Sequence, residues 1–346
     1  MSTASSISKQ LKAFPPVYFA LVMATGIISI GCHLLKAEVP AMILFWLNNV
    51  NYVALLTIFI GRMIWYPQQV MADLSDSAQG AGFLTFVAGS GMLGVQYCLI
   101  AKVFLPAMVL WVIALVAWVY FLYGFLFIRI TGAYKPDPEN GLNGGWLLMV
   151  VSTQSLSILG SQLAAHLPFS ANITLFFTLS AYLLGLFFYI MLIAIIFLRM
   201  TFDPMKAQEF IPPYWVLMGA AAITALGGAV FIQSVNTSGV YTDWIPVIKV
   251  LSLMAWIIAS WWIPLLAMLE IWRHFAKKVP FKYQPANWDT VFTLGMYTVS
   301  SYQLAKALQI PFLGIVPQLF IYVAALAWLV TFLSMLKSWS KHYLIQ

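Results

Sequence analysis

The sequence predicts an all-α membrane protein, ten transmembrane helices arranged as five helical hairpins around a central pore. Three observations predict it. Of 346 residues, 62% are hydrophobic and only 8% are charged, whereas a soluble domain carries roughly 25% charge. Apolar stretches of ~20 residues, the length that crosses a ~30 Å hydrocarbon core, recur along the whole chain. They come in pairs, and the pairs repeat at a near-constant step.

In order, helices are expected near 15–35, 39–62, 80–101, 103–128, 145–165, 172–198, 213–234, 244–270, 287–308 and 312–337. The chain 1–346 then reads as a single transmembrane domain, with hairpins at approximately 15–62, 80–128, 145–198, 213–270 and 287–337. Connections within a hairpin are short. Those between hairpins, 63–79, 129–144, 199–212 and 271–286, are longer and polar. Successive odd helices start about 65, 65, 68 and 74 residues apart, which suggests five copies of one unit. A unit with two spans always re-enters from the same side. The copies are therefore parallel repeats, quasi-five-fold about an axis along the membrane normal. Met1 to Ala13 is Ser-rich and runs straight into a full-length span, so no cleavable signal is expected.

Each odd helix opens on Pro or Gly followed by an aromatic: Pro15-Pro16-Val17-Tyr18-Phe19, Gly80-Ala81-Gly82-Phe83, Gly144-Gly145-Trp146, Pro212-Pro213-Tyr214-Trp215 and Pro285-Ala286-Asn287-Trp288. Each then mixes small, hydroxyl and apolar residues, a composition that lets helices approach closely. Even helices such as Ala181 to Leu198 are more uniformly apolar, as an outer, lipid-facing ring would be. The odd helices are thus read as the pore lining, with Met23, Thr25, Gly26, Val87, Ser90, Val150, Thr153, Gly219, Gly295, Val299 and Gln303 as lining candidates. The stretch Asn287 to Leu308 is the least suited to lipid. It carries Thr290, Thr293, Thr298, Ser300, Ser301, Gln303 and Lys306, and polar groups at that depth must face protein or water. Phe292 stands among them, on the side shared by Gly295, Val299 and Gln303. It is the candidate gate.

Basic residues set the orientation. Thirteen Lys and Arg (Lys9, Lys12, Arg62, Arg129, Lys135, Arg199, Lys206, Arg273, Lys277, Lys278, Lys282, Lys337 and Lys341) fall on the side of the N-terminus, and Lys36, Lys102, Lys249 and Lys306 on the other, thirteen plus four making the 17 of the sequence. The positive-inside rule then puts both termini in the cytoplasm of a cell whose inner, or plasma, membrane holds the protein. It also points all five odd-helix N-termini, with their partial positive charge, at the cytoplasmic mouth. Lys36, Lys102 and Lys306 lie roughly 17 to 19 residues beyond Phe19, Phe83 and Trp288, near the opposite mouth. Both mouths therefore favour anions, and no acidic ring of the kind cation channels use lies between them. Asp289, at the cytoplasmic end, is either a proton-coupling group or a favourable charge at a helix N-terminus.

The chemistry of other classes is missing. There is no P-loop, dinucleotide fingerprint, GxSxG or HExxH, and no Cys/His metal spacing. None of His33, His166, His274 and His342 falls in mid-membrane, so no metal or haem is expected. Nor is any other cofactor, a nucleic acid partner or an enzyme. Whether Cys32 and Cys98 pair is left open.

The same residues carry a family resemblance over essentially the whole chain. Phe14-Pro-Pro-Val-Tyr-Phe19 through Met23-Ala-Thr-Gly26, Gly82-Phe-Leu-Thr-Phe-Val-Ala-Gly89, Gly145 to Gln154, and Trp288-Asp-Thr-Val-Phe292 with Tyr297 to Leu304 resemble helices of the tellurite-resistance/C4-dicarboxylate transporter family. That family includes bacterial tellurite-resistance proteins, plant slow anion channels and fungal malate and sulfite permeases. The resemblance implies five hairpins around one pore, a homotrimer with a pore in each subunit, and Phe292 at the place of the occluding phenylalanine. Two positions depart from the family: Thr293 replaces the usual proline, and Asp289 stands where small or apolar residues are common. The expected function is an anion channel or transporter for small inorganic anions or small organic acids. The alternative is a proton-coupled C4-dicarboxylate (malate-type) or sulfite transporter.

Overall fold

The computed structural model describes residues 11–133, 135–137 and 141–344, with the side chains of 341–344 left aside. Met1, Gln346 and Lys9, and the side chains of Lys341 and His342, lie outside the described residues. Among those described, the chain is helical throughout, without a strand. The long helices are α1 Ala20–Leu34, α2 Glu38–Trp65, α3 Leu84–Gln96, α4 Phe104–Thr131, α5 Leu148–Gln162, α6 Ala171–Phe202, α7 Val216–Ser238, α8 Ile245–Ile271, α9 Asn287–Leu308 and α10 Ile315–Leu344. Their ends fall within a few residues of those read from the sequence, apart from the end of α10. Eight of the described helices are long and apolar enough to cross a membrane. The remaining two, α5 and α9, are the most polar of the long helices, rich in Ser, Thr and Gln.

The Pro/Gly-aromatic openings have a local structure of their own. Pro16–Phe19, Gly80–Phe83, Gly144–Leu147 and Pro212–Trp215 each form a 3₁₀ turn that runs directly into the helix behind it. Proline suits the first helical positions because its missing N–H is one of the unpaired donors there in any case. At the opposite end, the turns into the following helix pass through left-handed backbone at Lys36, Lys102, Gly239 and Gln309, the conformation that commonly terminates a helix.

Burial divides the helices into two sets. In the apolar windows of Pro16–Leu34, Gly80–Ala101 and Pro212–Ser238, 78%, 83% and 100% of residues are buried, against 28%, 39%, 39%, 28% and 17% in the windows of the even helices. The even helices turn large apolar side chains outward, among them Trp46, Phe127, Phe176, Trp261 and Tyr322, as lipid contact demands. The odd helices pack in cyclic order: α1 on α3, α3 on α5, α5 on α7, α7 on α9, and α9 back on α1. Each even helix packs on the odd helix before it. The entry turns are also neighbours in this order, so the odd helices start at one end of the ring.

At that end, cationic residues late in the even helices tie down adjoining segments. Arg62 bonds Asp73 on the short helix Pro67–Ser75 and the carbonyl of Lys12 (3.2 Å). Arg129 donates to the Ser75 carbonyl (3.0 Å), and Arg199 to the Tyr214 hydroxyl. A cation there also suits the negative end of its helix.

Candidate functional site

A cavity lies between the five odd helices. It is small, about 10 Å³, space for about one water, and draws on all five helices: Ile27 and Ile30 of α1, Met92 and Val95 of α3 with Leu99 just beyond it, Ile158 and Gln162 of α5, Leu226 and Val230 of α7, and Val299 and Gln303 of α9. The residues recur at one depth. Ile30, Leu226 and Val299 each stand eleven positions after the opening aromatics Phe19, Trp215 and Trp288, and Val95 and Ile158 stand twelve after Phe83 and Trp146. The lining is thus aliphatic apart from two amides, Gln162 and Gln303.

Phe292 lies on the same face of α9 as Val299 and Gln303, at spacings of seven and eleven residues. It is fully buried and about 10 Å nearer the N-terminal end than Val299, at 1.5 Å per residue. Its level, four residues past the opening aromatic, is shared by Met23, Val87 and Gly219. All three are buried, as is Val150, four residues past Trp146. At Gly219 a β-carbon would run into Thr293, and at Gly295 one would meet Ile27 Cγ2 at 2.7 Å. These two glycines are contacts that let α7 and α1 close on α9.

The hydroxyls expected along the path are turned the other way. Thr25 accepts from Trp328 Nε1 (3.1 Å), Ser90 bonds the Tyr52 hydroxyl (2.9 Å), and Thr153 accepts from Trp118 Nε1 (2.9 Å). Ser301 accepts from Trp256 Nε1 (2.8 Å), and the Tyr189 hydroxyl donates to the Leu217 carbonyl (3.2 Å). In every case an aromatic of an even helix reaches the odd helix of the next hairpin, and α10 reaches α1. Five bonds, three from indoles and two made by tyrosine hydroxyls, thus fasten the ring at each of its seams. The lining role expected for Thr25, Ser90 and Thr153 passes to the aliphatic residues. Gly26 likewise faces a seam, where a β-carbon would meet Asn48, Gln96 and Met92 at 3.1 to 3.3 Å.

The charged candidates divide by position. Lys36, Lys102 and Lys306 are all exposed at the C-terminal end of the odd helices, the first two in left-handed turns and the third over the Tyr302 ring at 4.7 Å. Asp289, in the first turn of α9, has no exposed surface, and neither of its carboxylate oxygens has a hydrogen-bond partner. Beside it, Trp288 Nε1 donates to the hydroxyl of Tyr283 in the preceding loop (3.2 Å). Burial there, reinforced by Tyr18, pushes the Tyr283 phenol up. Cys32 and Cys98 are separate buried thiols.

Aligning the repeats on their opening aromatics is the sequence signal that finds Ile30, Ile158 and Leu226, which residue type alone did not. Comparison with known proteins points to one family. A family described as voltage-dependent anion channel matches residues 13–336. An uncharacterized transporter of Methanocaldococcus jannaschii is 26% identical over 308 residues, 86% of this chain and 85% of its own length. A second from the same organism is 24% identical over 308 residues, 86% of each chain. An uncharacterized membrane protein of Mycobacterium tuberculosis is 33% identical over 157 residues, 44% of this chain and 76% of its own.

Proposed function

We propose that this chain, which belongs to the voltage-dependent anion channel family, passes small anions along the axis of its odd helices. The observation that carries this reading is the cavity to which all five odd helices contribute. In this reading the ten long helices are five parallel hairpins spanning a plasma membrane, with both termini cytoplasmic and three copies in the assembly. Phe292 is the occlusion. The entry turns crowd five helix N-termini, each with unpaired N–H groups and partial positive charge, at the cytoplasmic mouth. The three exposed lysines add positive charge at the other. No Lys or Arg lines the cavity, so an anion that enters is held weakly and leaves quickly. Flux into proteoliposomes, measured with chloride, nitrate, sulfite and malate in a salt gradient, tests it. The reversal potential should follow the anion, and cation selectivity would overturn the reading.

A second reading, proton-coupled transport of a C4-dicarboxylate or sulfite, is favoured by Asp289. A fully buried carboxyl without a partner is costly and has the character of a group that exchanges a proton. Here a pH gradient alone should drive anion accumulation, and Asp289→Asn should abolish that drive while leaving downhill flux. Equal accumulation in the two proteins removes this reading.

A further inference from the structure

The segment between α8 and α9, residues 271–286, carries Arg273, Lys277, Lys278 and Lys282 and no acid. It is folded back on the end of α8. Trp272–Ala276 is a π turn, Lys278 takes left-handed backbone, and His274 Nδ1 donates to the Val279 carbonyl (2.7 Å). Glu270, just before the segment, accepts from Trp215 Nε1 (3.0 Å) and faces His274 Nε2 (3.2 Å) and Arg273 (3.9 Å). Asp289, just after it, is fully buried. Lys277, Lys278 and Lys282 are exposed, and none has an ion-pair partner among the described residues. Beside them Phe275 and Phe281 are 78% and 52% exposed.

An apolar surface leads away from this segment. Trp261, Met268, Ile271 and Phe275, at helical spacing, form an exposed stripe along α8. Its far end meets a groove of about 320 Å³, lined by Ile193, Ala194 and Phe197 of α6 and Ile258, Trp261 and Trp262 of α8. α6 and α8 both pack on α7, and the groove between them opens outward. Trp262 lies eleven residues before Arg273, ~16 Å along the helix and about half the thickness of a hydrocarbon core.

We infer that this surface holds one anionic phospholipid, its headgroup phosphate among Lys277, Lys278 and Lys282 and one acyl chain along the α8 stripe into the groove. Lysines without acidic partners just outside a span attract acidic headgroups, and exposed aromatic rings suit the same depth. A zwitterionic lipid leaves the charge of the lysines unanswered. So does a second copy of this chain, which in the same membrane orientation brings its own lysines to that level. The inference needs only that these helices span a bilayer, and it is independent of what passes along the axis.

The test uses proteoliposomes of phosphatidylcholine with a graded fraction of phosphatidylglycerol brominated on its acyl chain, which quenches nearby indoles. Brominated phosphatidylcholine is the control lipid. Wild type should be quenched at a lower mole fraction of the anionic lipid than of the control, and Trp261→Phe should remove much of that quenching. Each of Lys277→Gln, Lys278→Gln and Lys282→Gln should weaken the preference about fivefold, and the triple variant should lose it. Added salt should weaken it too. Ala194→Phe, which fills the groove, should lower the quenching without changing the size of the oligomer. The lysine variants alter exposed side chains only, so they decide the matter even where Ala194→Phe does not fold. Equal quenching of wild type by the two lipids, or a preference that survives the triple variant, overturns the inference. An Ala194→Phe chain that folds yet forms a smaller oligomer gives the groove to a second copy and overturns it as well.

Discussion

Truncating Phe292 to alanine gives opposite results for a gate and for a packing residue. The ring has no exposed surface and sits about 10 Å below the aliphatic residues, on the face of α9 that lines the cavity. It has little freedom to swing aside, because Gly219 lets Thr293 press against α7 and Gly295 brings Ile27 and Ile28 of α1 onto α9. If the ring only fills space, its loss leaves a void and costs ~3–5 kcal/mol of stability. If it closes the path, it forces an ion to shed water in an apolar constriction, and its removal lowers that barrier. A barrier lowered by only ~3 kcal/mol raises the rate about 150-fold. Phe292→Ala should therefore assemble as wild type does on size exclusion and release chloride from proteoliposomes at least about a hundredfold faster, followed with a halide-quenched dye. A well-folded variant with wild-type flux would refute the gate and the choice of α9 face with it.

Three further outcomes follow from contacts already described. Trp328→Phe removes the donor to Thr25 at the seam between α10 and α1. It should cost ~1 kcal/mol, a melting shift of a few degrees, and leave flux per folded protein unchanged. A selectivity change would mean that Thr25 faces the path after all. Gly219→Ala puts a methyl into Thr293 and should destabilise by ~1–3 kcal/mol. Thr293→Ala in the same chain should recover part of that, which a double-mutant cycle in thermal denaturation reads directly. Asp73→Ala leaves the guanidinium of Arg62, a side chain only 2% exposed, without its carboxylate. The expected loss is ~3–5 kcal/mol, seen as low yield of folded protein. Near-normal melting would show that the Lys12 carbonyl and water satisfy Arg62 unaided.

Little of the cavity's lining was legible in the residues. Val299 and Gln303 stood out because polar and small residues cluster in α9 to a degree that lipid would not tolerate, and both line the cavity. Thr25, Ser90 and Thr153 attracted attention for the same reason and serve a different purpose. A hydroxyl within a membrane-buried helix needs a partner, yet its residue type does not say whether that partner is water in a path or an indole on the neighbouring helix. Gln162 shows the reverse. It lines the cavity with Gln303, and nothing in its residue type set it apart from the other polar residues of α5.

The sequence by itself determined where the helices run and which of them are buried. Without water in the hydrocarbon, backbone groups must be paired within a helix, so apolar length marks each span, and Pro or Gly marks each beginning. The uniform apolarity of the even helices likewise marks them as the outer set. Only the tertiary structure decided how each odd helix is rotated about its own axis. A helix packed by protein on every side has no polar face to orient it. Its rotation is set by pairwise contacts: indole and phenol bonds at the seams, and glycines where backbones meet. Those contacts turn the hydroxyls away from the axis and leave isoleucine, leucine, valine and two glutamines to face it.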